Sequence, residues 1–315
     1  MRSEILQLLR QHKEISGEEI SRRLGISRAA VAKHINVLRD MGYVIEASPR
    51  VGYSFISAPD LLSAAEILPH LAAPVWQIRY EQQVDSTNRR LLIAAEDGAD
   101  DHTVLIAEAQ SAGRGRFSRV WHSEAGQNLL LSLLLRPNLP PHIAQTMTLT
   151  AAVAVAEALN KRGCPVGIKW PNDILDAHGR KLCGIRCEMH CDMESVDYVI
   201  VGIGINVYQE KFPAEISAIA TSMHQVSGET APRAEIAAAV LDAFEENYQL
   251  LCAEGFAPIR AKWLEYNCCV GRRLTVTDER QAPQTGLCCG IDEQGYLLLE
   301  TAAGVTRITG GDIIL

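Results

Sequence analysis

Residues 16–42 read SGEEISRRLGISRAAVAKHINVLRDMG, and this stretch decides the fold of the N-terminal module. Ser16 followed by Glu19 has the spacing of a capping box, which predicts a short helix that Gly25 ends. Ser27 can cap a second helix, on which apolar residues recur every three or four positions. Two short helices joined by a tight turn predict a helix-turn-helix.

The polar face of the second helix predicts a DNA contact. In this motif the N-terminal half of the second helix enters the major groove, and that half carries Ser27, Arg28, Ala29 and Lys33. The following residues, YVIEASPRVGYSFI, predict a two-stranded wing with Arg50 at its tip, within reach of phosphate or the minor groove. The alternative is a winged helix used only for protein contacts.

Charge is distributed unevenly along the chain. The 315 residues carry a net charge of −8, but residues 1–57 hold nine Lys/Arg against six Asp/Glu, whereas the remainder holds 21 against 32. This asymmetry favours a small basic DNA-binding module ahead of a large acidic domain, and it argues against a protein that coats nucleic acid along its whole surface.

Composition indicates a cytoplasmic globular protein without a membrane partner. Apolar residues make up 47% of the chain, no apolar run approaches 18 residues, and the first residues lack the pattern of a signal peptide. The nine cysteines are scattered and do not resemble a small disulfide framework. Cys183, Cys187 and Cys191 recur every fourth residue, which leaves either a metal site or a strand with small residues on one face.

The pattern of helices and strands predicts an α+β protein with three domains and a linker. We expect a winged helix-turn-helix over 1–60, a linker over 61–74, a central α/β domain with a mixed sheet over 75–267, and an SH3-like β-barrel over 268–315. Strands are predicted at 103–109, 128–135, 181–189 and 198–205, and helices at 88–96, 144–161, 234–254 and 258–266.

A second stretch, AGRGRFSRVW at 112–121, predicts an anion-binding loop. Gly113 and Gly115 make it a poor helix and a poor strand, and they separate three arginines, Arg114, Arg116 and Arg119. Alternating arginines between glycines suit a loop that folds over an anion, although a solvated basic loop has the same composition. Gln110, just before the loop, belongs to the same candidate site.

Three further stretches carry polar groups suited to chemistry. VDSTNRR offers Ser86, Thr87 and Asn88 at a helix start, where ordinary capping is the alternative. GIKWPNDILDAHGRKLCGI offers a polar turn between lysines, and a lysine in an apolar strand needs an anionic partner or surface access. GIGIN at 202–206 lacks the dinucleotide fingerprint, and its glycines leave room for a flat ligand.

Trp263 suits either a core position or stacking on a base. Nucleophile-elbow, Walker and strong zinc motifs are missing from the sequence, which points to acyl or phosphoryl chemistry run by positioning and charge.

Taken in order, AGRGR…W, KWPNDI…RKLCGI, GIGIN and GID…GYLLLE…GGD resemble the biotin protein ligases. With SRAAVAKHINVLRDMGY ahead of them, the chain resembles the bifunctional bacterial members, which are also biotin operon repressors. The resemblance implies that biotin and Mg-ATP form biotinyl-5′-adenylate, and that a lysine of a biotin carboxyl carrier protein then takes the biotin and releases AMP. It also implies operator DNA as a partner and a homodimer that forms on ligand binding.

The resemblance also implies roles for individual residues. The biotin site takes Ser86, Thr87, Asn88, Gln110, Arg114, Gly115, Arg116 and Lys181; the adenylate or ATP site takes Arg119, Trp121, Asn172 and Asn206; and catalysis takes Lys181, Arg116, Lys169 and Asp173. Mg²⁺ would arrive with ATP, close to Asp173, without a metal site fixed by the protein alone. Phe117 and Ser118 depart from the basic residue and glycine often found there in the family. The alternatives are a ligase whose winged helix no longer binds an operator, a biotin-sensing regulator without catalysis, and a related lipoate ligase.

Overall fold

The computed structural model describes residues 1–48, 51–116, 119–192, 195–278 and 281–314. Its strands form three sheets of two, seven and five strands, which follow one another along the chain. The expected α+β class is confirmed. No helix among the described residues is long and apolar enough to cross a membrane.

The N-terminal module is the predicted winged helix-turn-helix. Its elements are α1 (Arg2–Gln11), α2 (Gly17–Leu24), α3 (Arg28–Asp40), β1 (Val44–Ser48) and β2 (Gly52–Ser57), the last two paired antiparallel. Ser16 Oγ accepts from the Glu19 amide and Ser27 Oγ from the Ala30 amide, so both predicted caps form. Gly25 ends α2 at a φ of +65°, a value that favours glycine. Arg50 at the wing tip lies outside the described residues.

The linker is bound to the domains on both sides of it. It contains α4 (Ala64–Ile67), whose Glu66 is buried and accepts hydrogen bonds from the Tyr43 hydroxyl at 2.6 Å and the Arg10 guanidinium at 2.5 Å. Further along, the Ala72 amide donates to the Asp242 carboxylate at 3.0 Å, and Asp60, just before the linker, pairs with the buried Arg233 guanidinium at 2.7 Å. These polar contacts attach the winged helix to the central domain through the linker.

The central domain contains the predicted mixed sheet, with strand order β3-β4-β5-β9-β8-β7-β6. Only β3 and β4 are parallel among these pairs. Its strands are β3 (Gln77–Val84), β4 (Thr103–Gln110), β5 (Asn128–Leu135), β6 (Gly167–Lys169), β7 (Asp173–Leu175), β8 (Lys181–Cys191) and β9 (Val196–Asn206). Its helices are α5 (Thr87–Glu96), α6 (Pro141–Ala144), α7 (Met147–Lys161), α8 (Met223–Ser227), α9 (Arg233–Glu254) and α10 (Phe256–Tyr266).

Two features of this domain differ from the sequence expectation. The helix expected over 144–161 begins three residues later, as α7 at Met147, and Ala144 instead ends the separate short helix α6. Strand β3 was not predicted, because this edge strand is largely exposed and rich in polar residues, and its alternation is confined to Ile78 and Tyr80. The apolar side chains of α7 and α9 pack into one core with the sheet, and the fully buried Trp263 joins them.

The C-terminal residues form the expected all-β domain. They provide β10 (Arg273–Asp278), β11 (Gln281–Ile291), β12 (Leu297–Thr301), β13 (Gly304–Ile308) and β14 (Asp312–Ile314). All pairs are antiparallel, in the order β13-β12-β11-β10-β14. The GGD motif thus places Asp312 at the start of the last strand, where it forms an ion pair with Arg119 of the loop at 112–121.

Candidate active site

One cavity of about 400 Å³ brings together every residue that the sequence predicts for small-molecule binding or catalysis. They come from α5, five strands of the central sheet and the loops beside them. The lining includes Ser86, Thr87, Asn88, Gln110, Arg114, Gly115, Arg116, Arg119, Trp121, Lys169, Asn172, Asp173, Lys181 and Asn206. Their individual roles remain predictions.

The polar end of the cavity lies where α5 begins. Gln110 Oε1 accepts from the Thr87 amide at 2.7 Å and from the Thr87 hydroxyl at 3.1 Å. The Thr87 hydroxyl in turn accepts from Ser132 at 2.8 Å. The side chains at the start of α5 are therefore hydrogen-bonded to β4 and β5 before any ligand binds, in addition to any capping role. This preorganises the polar end of the cavity for a polar head group.

Asn88 is held more tightly than its neighbours. Its Oδ1 accepts from Ser132 at 2.6 Å, and its Nδ2 donates to the Arg186 carbonyl at 3.2 Å and to Glu188 at 3.0 Å. A Cβ on Gly202 would lie 1.9 Å from Asn88 Oδ1, so the first glycine of GIGIN makes room for this amide. Since both ends of the amide are engaged, the structure favours a supporting role for Asn88.

The cationic end of the cavity is built on a short hairpin. Strands β6 and β7 pair Lys169 with Asp173 across the turn, and β8 begins at Lys181 beside them. The Asp173 carboxylate lies 2.6 Å from Lys181 Nζ and 3.7 Å from Lys169 Nζ. The anionic partner expected for Lys181 is therefore Asp173, and this partly buried cluster carries a net positive charge that suits an anionic ligand.

Two paired glycines form the floor of the cavity, and Trp121 lies on them. Gly184 of β8 is opposite Gly204 of β9, and a Cβ on either would lie within 2.9 Å of the indole. The expected space for a flat group thus exists, and here it holds an aromatic side chain. Trp121 Nε1 and Asn206 Oδ1 are both buried without a hydrogen-bond partner among the described residues. Buried polar atoms left unpaired cost about 1–3 kcal/mol each, so a ligand that pairs with them gains affinity.

The arginine loop, residues 112–121, closes one side of the cavity. The Gly115 amide donates to the Arg119 carbonyl at 2.7 Å, and the Trp121 amide donates to the Gly113 carbonyl at 3.0 Å. The Arg116 guanidinium reaches Asn172 Oδ1 at 3.3 Å and the Gly311 carbonyl at 3.4 Å. Burial lowers the pKa of Arg116, which marks a cation removed from bulk water beside the site. Phe117 and Ser118 lie outside the described residues.

Sequence reasoning missed three polar residues of this site. Asp312 lines the cavity and forms an ion pair with Arg119, Arg186 lines it and contacts the loop, and Ser132 anchors Thr87 and Asn88. Ser132 had a readable signal, because it is the one hydroxyl in the apolar run NLLLSLLL. For Arg186 and Asp312 the decisive information is tertiary, since each meets a loop distant in sequence.

Two open alternatives of the sequence are resolved by burial and position. Trp263 is fully buried in the core and does not line the cavity, so it packs and does not stack on a base. Cys183, Cys187 and Cys191 lie along β8 with decreasing burial, and no cluster able to hold a metal was found among the described residues. The strand interpretation of this segment therefore replaces the metal interpretation.

The candidate DNA-contacting residues lie together on the winged helix. Ser27, Arg28, Ala29 and Lys33 are exposed on the N-terminal half of α3, while the opposite face of that helix is buried. Ser27 also caps the helix, so its hydroxyl is shared with the backbone. The arrangement leaves a small, basic, solvent-facing surface of the kind that enters a groove.

Comparison with known families matches three segments of the chain. The model of the biotin/lipoate A/B protein ligase family matches residues 80–206, a helix-turn-helix domain model matches 2–54, and the biotin protein ligase C-terminal domain model matches 270–315. The biotin protein ligase from Aquifex aeolicus, solved in complex with biotin and ATP, has 31% sequence identity and a TM-score of 0.65 over 76% of this chain and 97% of that one.

Full-length relatives share all three parts. The bifunctional ligase/repressor BirA of Bacillus spizizenii is 41% identical over 100% of this chain and 98% of its own length. The protein of the same name from Escherichia coli K12 is 34% identical over 99% of this chain and 96% of its own. This chain therefore belongs to the family of bifunctional biotin ligase/repressors.

Proposed function

We propose that the protein forms biotinyl-5′-adenylate from biotin and ATP and transfers the biotin to a lysine of a biotin carboxyl carrier protein. The observation that carries this proposal is the distribution of polar and charged groups in the cavity. A neutral polar end lies at Thr87 and Gln110, and a cationic end lies at Lys169 and Lys181. Such a site suits a ligand that joins an uncharged head group to a carboxylate and a phosphate. The Aquifex neighbour, bound to biotin and ATP, supports this assignment.

The chemistry needs positioning and charge stabilisation. In the first step the biotin carboxylate attacks the α-phosphorus of ATP, the bond to the β-phosphate oxygen breaks, and pyrophosphate leaves. Lys181 and Arg116 stabilise the negative charge that develops around the phosphorus. In the second step the acceptor amine attacks the anhydride carbonyl and AMP leaves. Closure of the arginine loop keeps water from this anhydride between the two steps.

Mg²⁺ enters this proposal together with ATP. Asp173 offers the carboxylate oxygens that Mg²⁺ prefers, but two lysines already contact them, so the residues fit an ion held mainly by the phosphates. When bound, Mg²⁺ neutralises phosphate charge. In that arrangement Asp173 orients Lys181 and Lys169 and shares their charge.

We also propose biotin-responsive repression of biotin synthesis genes in the cytoplasm, where ATP and operator DNA are both present. One winged helix offers a small interface, so a two-part operator requires two copies at fixed spacing. Ligand-dependent closure of the loop would raise the dimer population and couple the adenylate to DNA binding. The exposed basic face of α3 supports this proposal.

Two assays test these proposals separately. Mixing the protein with biotin, Mg-ATP and a carrier domain should release AMP and add the mass of biotin to one acceptor lysine, whereas no AMP and no mass gain would leave a non-catalytic regulator. Operator binding should strengthen, and sedimentation should show a dimer, only with biotin plus ATP. Deleting residues 1–57 should abolish DNA binding and leave ligation, and unchanged operator binding in that variant would contradict the assignment of the module.

A further inference from the structure

We propose that Cys268 is a thiol-modification site for an anionic low-molecular-weight disulfide, and that an adduct there acts on the hairpin of β6 and β7. Cys268 lies between α10 and β10, and its half-buried side chain lines a second cavity of about 240 Å³. The consequence for ligation rests on the proposed ligase function, whereas the reactivity of the thiol does not.

The surroundings of Cys268 stabilise its thiolate form. Its sulfur accepts a hydrogen bond from the thiol of the adjacent Cys269, and this contact lowers the pKa of Cys268 although burial opposes the shift. The positive charges of Arg272 and Lys169 lower that pKa further. Because a thiolate is the attacking group in disulfide exchange, these groups make Cys268 a better nucleophile near neutral pH than a cysteine without such neighbours.

The charges at the second cavity select the kind of disulfide. Arg272, which is exposed, lines this cavity together with Cys268. Asp176 also lines it, but Arg180 pairs with the Asp176 carboxylate at 2.8 Å and compensates its charge. The net local charge is therefore positive, which attracts an anionic disulfide and repels a cationic one.

The exchange reaction balances without a further oxidant. The Cys268 thiolate attacks one sulfur of the disulfide, a new sulfur–sulfur bond forms, the old one breaks, and the other half of the reagent leaves as a thiolate. Cys268 is thereby oxidised to a mixed disulfide, while the departing half is reduced. Excess thiol reverses the step and restores free Cys268.

Cys268 is in direct contact with β6. Its amide donates to the Ile168 carbonyl at 3.0 Å, and a Cβ on Gly167 would lie 3.1 Å from the Cys268 Cβ. Lys169 follows as the last residue of this strand. Because protein interiors are closely packed, a group added to the Cys268 sulfur displaces its neighbours, and β6 is among them.

The second cavity also shares a wall with the active-site cavity. Leu175, at the end of β7, and Gly179, in the turn before β8, line both cavities. An adduct in the second cavity therefore presses on the segments that position Asp173 and Lys181 in the first. The expected result is slower adenylate formation in a folded protein.

Reaction of the full chain with dithiobis(nitrobenzoate), an anionic disulfide, tests the thiol site. We expect Cys268 to be modified at pH 7 about fivefold faster than Cys289, which is more exposed and lies in the C-terminal domain. Fragment masses of the peptides distinguish Cys268 from Cys269. Modification confined to the exposed Cys191, Cys252 and Cys289 would overturn the proposal, and an equal preference for Cys268 with cystamine, a cationic disulfide, would overturn the selection by charge.

Matched variants identify the groups that activate the thiol. Arg272→Gln should slow modification of Cys268 about threefold, because a neighbouring cation is lost. Arg273→Gln changes an exposed arginine outside the cavity and should leave the parental rate. Cys269→Ala removes the hydrogen-bond donor and should also slow the reaction, whereas Cys269→Ser keeps a donor and should lie closer to the parent. Equal slowing in both arginine variants would contradict the role of Arg272.

Ligation shows whether the adduct acts on the active site. Adenylate formation should fall about tenfold after modification, because small displacements of positioning groups are costly, and it should return with excess thiol. Cys268→Ser should keep the parental rate with and without the reagent. An adduct on Cys268 with unchanged ligation would overturn the coupling. A parent that forms no adenylate, with Cys268 still modified first, would keep the thiol site and reject the ligase function.

Discussion

The polar end of the cavity and the arginine loop at its side are built in different ways. At the polar end, Thr87, Gln110 and Ser132 lie on a helix start and two sheet strands and hydrogen-bond to one another. The arginine loop, by contrast, carries its cations on glycine-rich backbone and is attached through a few long side chains. The first end is ready before ligand arrives, whereas the second can open. We infer that the rigid polar end recognises biotin, whereas the loop retains the adenylate.

The largest expected effect falls at the cationic end of the cavity, where Lys181 lies. Lys181→Ala removes the cation that we place at the biotin carboxylate and should reduce adenylate formation by about 10²–10³-fold, the usual loss for one preorganised charge-stabilising group. Pyrophosphate release measures it, with Lys161→Ala, at the exposed end of α7, as the control. Full activity in the Lys181 variant would remove this lysine from the site.

A pair of glycine substitutions compares the rigid end with the loop. Gly202→Ala places a methyl group against Asn88, which three hydrogen bonds hold in place, so the free energy of unfolding should fall by about 1–3 kcal/mol. Gly204→Ala meets the Trp121 indole instead, and that side chain belongs to the loop and can move. Its stability should stay within about 0.5 kcal/mol of the parent.

Urea unfolding measures the two glycine variants side by side. Equal destabilisation would show that the floor of the cavity is uniformly rigid, and it would remove the contrast between the two ends. Biotin affinity should fall in both variants, because each one narrows the cavity.

A third variant tests the loop alone. Arg116→Ala should release bound adenylate about tenfold faster, because a hydrogen bond from a charged group is lost, while the unfolding free energy changes little. A chase with unlabelled biotin and ATP measures the rate at which the labelled adenylate is released. Retention equal to that of the parent would count against closure by this loop.

The smallest effect concerns stability far from either end. Hydrogen bonds to Asp101 and Glu245 raise the pKa of His102 from 6.5 to about 9. Because the folded state binds this proton more tightly, the stabilisation is complete below pH 6.5 and is lost as the pH rises through about 9. The cluster lies near the solvent, so we expect about 1 kcal/mol.

Urea unfolding at pH 6, 8 and 10 checks this pH dependence. His102→Gln should flatten the profile over that range without changing adenylate release. A variant whose profile falls as steeply as that of the parent would rule out this histidine as the cause.

The sequence predicted local features well, but it predicted tertiary contacts between distant residues poorly. Caps such as Ser16 and Ser27, and buried strands such as 128–135, follow from short-range patterns, so they could be read directly. Edge strand β3 carries only a short alternation, at Ile78 and Tyr80. The residues around the cavity were found mainly through their resemblance to a known family. The sequence did not identify Arg186 as a site residue, because its partner, Gly115, lies 71 residues away in sequence and no local pattern indicates the contact.

A crystal structure grown with biotin and ATP tests the central claim most directly. We predict that Thr87 and Gln110 stay in place, whereas the guanidinium groups of Arg114 and Arg116 lie against the adenylate. Arginines that point into bulk solvent, far from a bound ligand, would contradict the division between a rigid recognition end and a closing loop.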